Sequence, residues 1–308
     1  MVENLQKWIG NTESHTDIVT ASLVERYKAV IGQVAPKDGV PYGLHWCTCL
    51  PTANMDALGE DGHPKTGNFL PPSPLPRRMW AASDVIFLSP ISVGSKIDRH
   101  STIANVTEKS GRSGKLLFVE VEHLTQANGV DAVQEKQTIV YREPSSQKGV
   151  LPQAIDVDLS DWENVETLTP NTALLFRFSA LTFNTHRIHY DEAYAREVEG
   201  YPALVVHGPL MASLLLRFAT QLSDGQSLKK FSFRGRSPAF CGQDIHLAAK
   251  PINEGFELAI MGPDGQMVMN ALILRLFCQK PKKPVRIISR RQLQQPSPLR
   301  LVMRSASL

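Results

Sequence analysis

The stretch Phe183–Met211 reads FNTHRIHYDEAYAREVEGYPALVVHGPLM and carries more information than any other part of the chain. It holds one amide, several imidazoles and a Gly-Pro pair that can open a helix. An imidazole can take a proton from water, and the free N–H groups of a helix start attract negative charge. The stretch therefore indicates a catalytic site, and an enzyme is the leading interpretation.

His189 is the candidate acid–base residue, because an imidazole titrates near neutral pH. A predicted strand at Ala173–Leu181 precedes it, and Asp191 follows it where an aspartate can cap a helix predicted near Glu192–Glu199. The ring is therefore expected to project from a turn. A lone histidine in such a place is more often structural, so its neighbours decide between the two interpretations.

The tripeptide His207-Gly208-Pro209 precedes an apolar helix predicted at Gly208–Gln221. Proline suits the first helical position, and Gly208 would let a ligand carbonyl approach the helix amides. These amides would form a backbone oxyanion site. An ordinary buried helix start is the alternative, and it would be equally well supported without the His189 segment.

Composition limits the kind of protein. The 308 residues are 42% hydrophobic and 20% charged, which is typical of a globular chain. No apolar run reaches the roughly 18 residues of a membrane span, and the start lacks signal-peptide features, so we predict a cytoplasmic protein without a membrane partner. Residues 279–308 contain eight Lys or Arg and no acid. Such tails are more often solvated than functional, so no nucleic-acid partner is predicted.

Metal and cofactor motifs are weak. Cys47 and Cys49 lie close to His45, but this C-x-C spacing has no second half elsewhere, so no metal is predicted. The Gly62–Gly67 segment has P-loop glycine spacing, yet Asn68 stands where the lysine should be. Dinucleotide and serine-hydrolase motifs do not occur in the sequence. We therefore expect no bound cofactor.

The hydrophobic pattern repeats in outline over two halves. A helix capped by Thr16 and Asp17 is predicted to run to about Gln33, and Pro51–Pro76 is expected to be a long loop folded over the domain. The predicted strands are Ala82–Leu88, Ser95–Glu108, Lys115–Thr125, Val130–Tyr141, Ala173–Leu181, Phe231–Arg236, Asp244–Pro251, Glu257–Met261 and Met267–Phe277. A linker-like segment at Glu143–Gln153 predicts domains at residues 1–150 and 151–278, followed by the basic tail 279–308.

The motif Asn184–His189, followed by Tyr-Asp and later by His207-Gly208, resembles the D-x-N-P-x-H signature of the MaoC-like hot-dog hydratases. In the first half, Phe69–Trp80 and Ile139–Glu143 resemble the dehydratase-like N-terminal half of the double hot-dog members. The resemblance covers nearly the whole chain apart from the tail. Within the group, the chain is most similar to mesaconyl-CoA and itaconyl-CoA hydratases and to mitochondrial 3-hydroxyacyl-thioester dehydratases.

This resemblance implies an α+β double hot-dog fold, in which each half wraps a curved antiparallel sheet around a long helix. It implies catalytic residues in the C-terminal half, a coenzyme A thioester as substrate, and a homodimer. The implied reaction is reversible addition of water to a 2-enoyl-CoA. A branched dicarboxylic acyl group is expected, with mesaconyl-C4-CoA or itaconyl-CoA giving citramalyl-CoA.

The chain departs from the signature at three positions, since Asn184 stands where Asp is usual, His186 where Asn is usual and Arg187 where Pro is usual. An amide can hold a water molecule but cannot accept its proton at neutral pH. The base is therefore expected to be His189, with Asn184 positioning the water and the Gly208 amide holding the enolate oxygen. His186 and His207 are expected to bind substrate.

Several arginines are candidates for binding a second carboxylate of the acyl group. Arg187 lies beside the expected base and could fork onto that carboxylate, or it could pair with Asp191 or Glu192 and only hold the loop. Both interpretations stay open. The rival contacts are Arg77, Arg78, Arg234 and Arg236.

Two other functions are alternatives. A hot-dog thioesterase shares the fold and substrate class, but such enzymes commonly use a carboxylate, and position 184 has none. The other is a non-catalytic acyl-CoA-binding protein with a tail that recruits a partner. Such a protein needs no catalytic carboxylate, which would explain why Asn184 stands in place of Asp.

Overall fold

The structure, a computed structural model, describes residues 5–111, 114–144 and 148–275. Over the first half of these residues the elements are β1 (Thr12–Ile18), α1 (Ala21–Ile31), β2 (Arg77–Phe87), β3 (Lys96–Gly111), β4 (Gly114–Ala127) and β5 (Val130–Arg142). Over the second half they are β6 (Asn164–Leu168), α2 (Thr172–Thr182), α3 (Glu192–Glu197), α4 (Gly208–Leu222), β7 (Leu228–Gly235), β8 (Ile245–Ile252), β9 (Gly255–Met261) and β10 (Met267–Arg275).

All ten strands form one antiparallel sheet in the order β1-β3-β4-β5-β2-β7-β10-β9-β8-β6. Both halves arrange their five strands in the same way. Counted inward from the outer edge of the sheet, each half has its first strand along the chain, then its third, fourth, fifth and second. The two five-stranded halves join where β2 pairs with β7, from Ala82 opposite Arg234 to Ile86 opposite Lys230. The α+β class and the repeated antiparallel halves expected from the sequence are confirmed.

The halves differ in the connection between their first and second strands. In the N-terminal half, α1 is followed by a long irregular segment with short 3₁₀ turns at Leu44–Cys47 and Met55–Ala57. In the C-terminal half, the same connection contains α2, α3 and the fifteen-residue α4. Every residue of α4 from Leu210 to Thr220 is buried, as expected for a helix that is apolar nearly all round. The α4 helix is the central helix of the core.

A buried ion pair ties the two halves together. Arg77 of β2 places its Nε atom 2.9 Å from Glu199 Oε2, and the two side chains are only 8% and 10% exposed. Removing one partner of such a pair strands the other charge in the interior. The pair also fixes the segment between α3 and α4 against the N-terminal half.

The predicted N-terminal helix is present as α1 but its predicted start is wrong, and one predicted strand is wrong. Thr16 and Asp17 lie in β1, and α1 begins at Ala21 because the Thr20 side chain accepts a hydrogen bond from Leu23 N at 3.1 Å. The predicted strand Ala173–Leu181 is helix α2, capped by Asn171, whose side chain accepts from Leu174 N. An apolar run of this length suits a buried strand or a buried helix equally well, and only the cap distinguishes them.

Other predicted elements are confirmed within a few residues. These are α3, α4, the strands corresponding to β2, β3, β4, β5, β7, β8 and β9, and the part of the last predicted strand that belongs to β10. The short strands β1 and β6 were not predicted, because each is largely polar and lies at an edge of the sheet. The domain bounds 1–150 and 151–278 stay predictions, and the tail 279–308 lies outside the described residues. Over the described part of the chain, no helix is long and apolar enough to cross a membrane.

Candidate active site

The segment Asn184–His189 forms a tight turn after α2. The helix ends at Phe183, whose φ of 48° places it in the left-handed region. The Asn184 Oδ1 atom then accepts a hydrogen bond from the His186 backbone N–H at 3.0 Å, and a 3₁₀ turn spans Arg187–His189. This turn brings the rings of His186 and His189 into a T-shaped contact with centroids 5.4 Å apart.

The tautomer of His189 follows from its hydrogen bond. Its Nδ1 atom lies 2.7 Å from the carbonyl oxygen of Val205. Because a carbonyl can only accept, Nδ1 carries the hydrogen and Nε2 is left with a lone pair. Burial lowers the pKa of His189 to about 4, against the opposing effect of the hydrogen bond to Val205. The imidazole is therefore neutral and able to accept a proton at physiological pH.

The His207 ring packs against one face of the His189 ring. The two rings are stacked, with centroids 3.6 Å apart and planes 19° from parallel. His207 is fully buried, and its Nε2 atom lies 2.9 Å from Ser179 Oγ, while Nδ1 has no hydrogen-bond partner among the described residues. Burial, with the nearby charges of His189 and His186, holds the pKa of His207 well below its ordinary value. This position suits a support for His189 better than an exposed substrate contact.

Gly208 begins α4 directly after His207. As the first residue of a helix it has no intrahelical acceptor for its N–H, and Pro209 has no N–H at all. A Cβ atom at Gly208 would meet only the Trp80 carbonyl oxygen, at the ordinary contact distance of 3.5 Å. Packing therefore does not demand glycine here, and its small size leaves the helix start open. The His189 ring stacks on His207, the residue directly before Gly208, so the histidine lies close to the helix start.

A segment of the N-terminal half lies across the Asn184–His189 turn, which carries the proposed base and is called the catalytic turn below. We call Gly59–His63 the strap. The Arg187 backbone N–H donates to Asp61 O at 2.9 Å, and Arg187 Nη1 donates to Glu60 O at 3.2 Å. Thr185 Oγ1 donates to Gly62 O at 2.5 Å. The long loop expected at Pro51–Pro76 is thus bound to the turn that carries His189.

The strap brings a carboxylate and a further imidazole to the site. His63 Nδ1 lies 2.8 Å from Asp61 Oδ2, and the His63 ring lies 4.1 Å from that of His186. Burial opposes ionisation of Asp61, but the hydrogen bonds and charge of His63, together with Arg78, bring its carboxyl pKa below the ordinary value. Burial and Arg78 lower the pKa of His63, against the raising effect of Asp61.

One group of residues near the site has ligand types that metals accept. Asp61, His63 and His186 each offer a ligand atom, and these three atoms lie within 4.8 Å of one another. Against a cation, the Arg78 guanidinium acts on the same three side chains and lowers the pKa of all of them. A second positive charge there would be repelled.

The structure separates the predicted arginine contacts. Arg187 forms a salt bridge with Asp191 at 2.8 Å and stacks over the Tyr194 ring, so its guanidinium is already engaged. Arg77 is held by Glu199. Arg234 and Arg236 are exposed on or just after β7, and Arg236 Nε donates to Asn270 at 2.6 Å. Arg78 differs from these four arginines. Its positive charge disfavours protonation of His63 and His186 and favours ionisation of Tyr141.

Sequence reasoning missed Asp61, His63, Ser179 and the Val205 carbonyl. Nothing in the linear spacing links residues 61 and 63 to residue 186. The available signal was the long polar loop, whose Gly62 has a positive φ of 86° and was considered only as part of a P-loop pattern. A Cβ at Gly62 would collide with the Thr185 carbonyl, so this glycine is required by the close approach of the strap.

A ten-stranded sheet of two halves with the same strand order, and a neutral buried histidine close to a helix start, fit a double hot-dog enzyme that uses acid–base chemistry. Residues 43–241 match the family described as hydroxyacyl-thioester dehydratase type 2. The chain belongs to this family and is an enzyme of the hydratase and dehydratase type.

Individual proteins agree with this assignment. The chain is 40% identical over 276 residues to mesaconyl-C(4)-CoA hydratase of Chloroflexus aurantiacus, covering 86% of this chain and 96% of that protein. Among solved structures, HtdX of Mycobacterium tuberculosis superposes with a TM-score of 0.64 at 17% identity, over 86% of this chain and all of that one. A second M. tuberculosis protein, described as having a double hotdog fold, superposes with a TM-score of 0.52 at 11% identity, over 87% and 96% of the two chains. The double hot-dog fold is therefore confirmed.

Proposed function

We propose that this protein catalyses reversible hydration of a 2-enoyl-CoA that carries a branched dicarboxylic acyl group. Mesaconyl-C4-CoA would be hydrated to citramalyl-CoA. Itaconyl-CoA would give the same product only after its β,γ double bond is moved to the α,β position by loss of an α-proton and gain of a γ-proton. The 40% identity to a mesaconyl-C(4)-CoA hydratase, over 96% of that protein, supports this substrate class. Coenzyme A enters as part of the substrate, and the reaction needs no metal or redox cofactor.

The carrying observation is the orientation of His189. Because its Nδ1–H donates to Val205 O, its Nε2 lone pair is free to take a proton from water. The water oxygen attacks the β-carbon, and the electron pair of the double bond moves to the thioester oxygen. The Gly208 amide at the start of α4 stabilises this enolate, since helix-start N–H groups favour developing negative charge.

Asn184 has a narrower role in this scheme than its place in the signature suggests. Its Oδ1 atom already accepts from the His186 amide. Its Nδ2 group remains a donor that can orient the water or the acyl group, but it supplies no negative charge. His189 is thus the base of the C-terminal half.

Arg78 is the arginine that we assign to the second carboxylate of the acyl group. It acts on His63 and His186, next to the His189 ring, whereas Arg77, Arg187 and Arg236 are bound elsewhere. A guanidinium binds a carboxylate with two parallel hydrogen bonds. This contact would favour dicarboxylic over straight-chain substrates.

The test uses purified protein with mesaconyl-C4-CoA, itaconyl-CoA and straight-chain enoyl-CoAs. Loss of the enoyl absorbance without release of free thiol supports hydration, whereas thiol release identifies a thioesterase instead.

His189→Ala should reduce turnover by about a thousandfold, within the usual range for loss of a general base. The exposed His100→Ala is the matched control and should keep full turnover. Turnover by His189→Ala close to that of the control would refute the assignment of the base.

The remaining proposals concern the cellular location, the oligomeric state and the metal dependence of the enzyme. We infer a homodimer, as the family resemblance implies, and a cytoplasmic location, as the sequence composition predicts. Light scattering should give about twice the chain mass of 34.1 kDa. Turnover that persists after dialysis against a chelator would support chemistry without a metal.

A further inference from the structure

The carboxylate of the hydratase signature is absent from position 184, yet a carboxylate lies close to the site. Asp61 comes from the strap of the N-terminal half, far from Asn184 in sequence. Its side chain is 22% exposed and that of His63 is 20% exposed, so both are largely shielded from solvent. The strap is fixed by three hydrogen bonds to Thr185 and Arg187.

Four imidazole rings form a continuous row that ends at this carboxylate. The ring centroids are 4.1 Å apart for His63 and His186, 5.4 Å for His186 and His189, and 3.6 Å for His189 and His207. The His186 ring is buried and makes no hydrogen bond with any described residue. The only histidine of the row that is hydrogen-bonded to a carboxylate is His63, through Asp61.

We propose that Asp61 and His63 form a second acid–base pair of the active site, so that the N-terminal half supplies the carboxylate that the C-terminal half lacks. This inference rests on the proposed hydratase function. It assigns to the strap a part in the chemistry, beyond covering the site.

The geometry of the pair suits proton transfer to carbon. With Nδ1–H donated to Asp61, the Nε2 atom of His63 is the position that exchanges a proton with the substrate. A carboxylate stabilises an imidazolium, which the neutral Val205 carbonyl cannot do to the same extent for His189. His63 therefore suits the acid role, while His189 suits the base role.

The proposed step balances. As the water oxygen bonds to the β-carbon, His189 Nε2 takes the water proton and becomes an imidazolium. That proton then passes from His189 to His63 through solvent or along the row, where Asp61 stabilises the His63 imidazolium. The enolate returns its electron pair to the α-carbon, which takes the proton from His63 Nε2, so both histidines are neutral at the end as they were at the start. No oxidant, reductant or metal is consumed.

The charged and titratable groups around His63 limit the alternatives. They are Asp61 on its own strap, Arg78 on β2, and His186 with His189 on the catalytic turn. The Arg78 charge disfavours a cation between Asp61, His63 and His186. It also keeps the carboxylate ionised, which the acid–base pair requires.

The experiment compares Asp61→Asn and His63→Gln with wild type and with Asp56→Asn. The control removes an exposed carboxylate from the same loop without touching a site histidine. Asp61→Asn keeps the backbone contacts of the strap and an oxygen that can accept from His63. We expect kcat to fall by about a hundredfold in both variants with KM changed less than threefold, and the pH dependence of kcat to change shape. Asp61→Glu should recover part of the lost kcat, whereas a merely structural role would leave the pH profile unaltered.

The outcomes separate this inference from the proposed function. If wild type hydrates enoyl-CoA and His189→Ala is inactive, but Asp61→Asn and His63→Gln keep kcat within threefold of wild type with its pH profile, the acid–base pair is refuted and the hydratase stands. If wild type hydrates no enoyl-CoA, the function fails and this inference fails with it. Turnover that is lost to a chelator and restored by Zn²⁺, with metal binding absent from Asp61→Asn, would overturn the pair in favour of a cation site.

Discussion

The two halves of the sheet have the same strand order but fill the connection between first and second strand differently. The C-terminal half uses it for α2, α3 and the buried α4, which together place His189, His207 and Gly208. The N-terminal half follows α1 with irregular chain, part of which crosses over to bind the catalytic turn. One half thus provides the helix that organises the site, and the other provides the segment that covers it.

This difference shows why neither half is sufficient alone. The C-terminal half contains a base and a helix start but no carboxylate at position 184. The N-terminal half contributes Asp61, His63 and Arg78, and Arg77 anchors its β2 to Glu199. The same strand order thus holds two different connections, and the irregular one reaches the site of the other half.

The largest expected effect comes from breaking the ion pair between the halves. Arg77→Ala leaves the Glu199 carboxylate buried without its partner, and such losses cost about 3–5 kcal/mol of unfolding free energy. Urea unfolding of the variant measures the change. Arg196→Ala is the control, because its pair with Glu192 is more than half exposed and should contribute little. Equal stability of the two variants would mean that Arg77 does not hold the halves together.

The next effect concerns the strap. In Gly62→Ala the new Cβ collides with the Thr185 carbonyl, and the positive φ at this position disfavours alanine as well. We expect kcat/KM to fall by about a hundredfold, as for other small displacements of catalytic groups, while circular dichroism shows a folded protein. Gly67→Ala tests the positive φ alone, since a Cβ there meets nothing within 4 Å. Full activity of Gly62→Ala would show that the strap is not needed at the site.

A smaller effect is expected on substrate choice. Arg78→Met keeps much of the side-chain volume but removes the charge next to His63 and His186. KM for mesaconyl-C4-CoA should rise about tenfold to a hundredfold, while KM for a straight-chain enoyl-CoA changes little. Initial rates over a range of substrate concentrations give both values. An equal rise for both substrates would argue against a contact with the second carboxylate.

The smallest effect expected from any single residue is a dependence of the free energy of unfolding on pH. Burial keeps the pKa values of His63, His186, His189 and His207 below their ordinary value, so the folded state binds fewer protons than the unfolded chain. Stability is therefore complete above about pH 6.5, the pKa in the unfolded chain, and declines toward pH 4. For each strongly shifted histidine we expect a loss of about 1–2 kcal/mol of unfolding free energy between pH 7 and pH 5, measured by urea unfolding. His186→Asn should make this decline shallower, and a stability independent of pH over that range would contradict the buried neutral histidines.

The sequence by itself determined the enzyme class, most strands and helices α3 and α4, and it predicted a site from His189 and the Gly208 helix start. These depend on local signals, such as alternating strands, a Gly-Pro helix opening and a signature within one short stretch. It left the helix α2 ambiguous, because an apolar run fits a buried strand or a buried helix until the Asn171 cap is recognised.

Only the tertiary structure decided which distant residues meet. The approach of Asp61 and His63 to His186, and the electrostatic effect of Arg78 on these histidines, depend on how the loop before β2 crosses to the other half. The tautomer of His189 likewise depends on the Val205 carbonyl, sixteen residues away in sequence. Such contacts arise from tertiary packing, between the two halves for Asp61 and His63 and within the C-terminal half for Val205, and local sequence patterns carry no record of them.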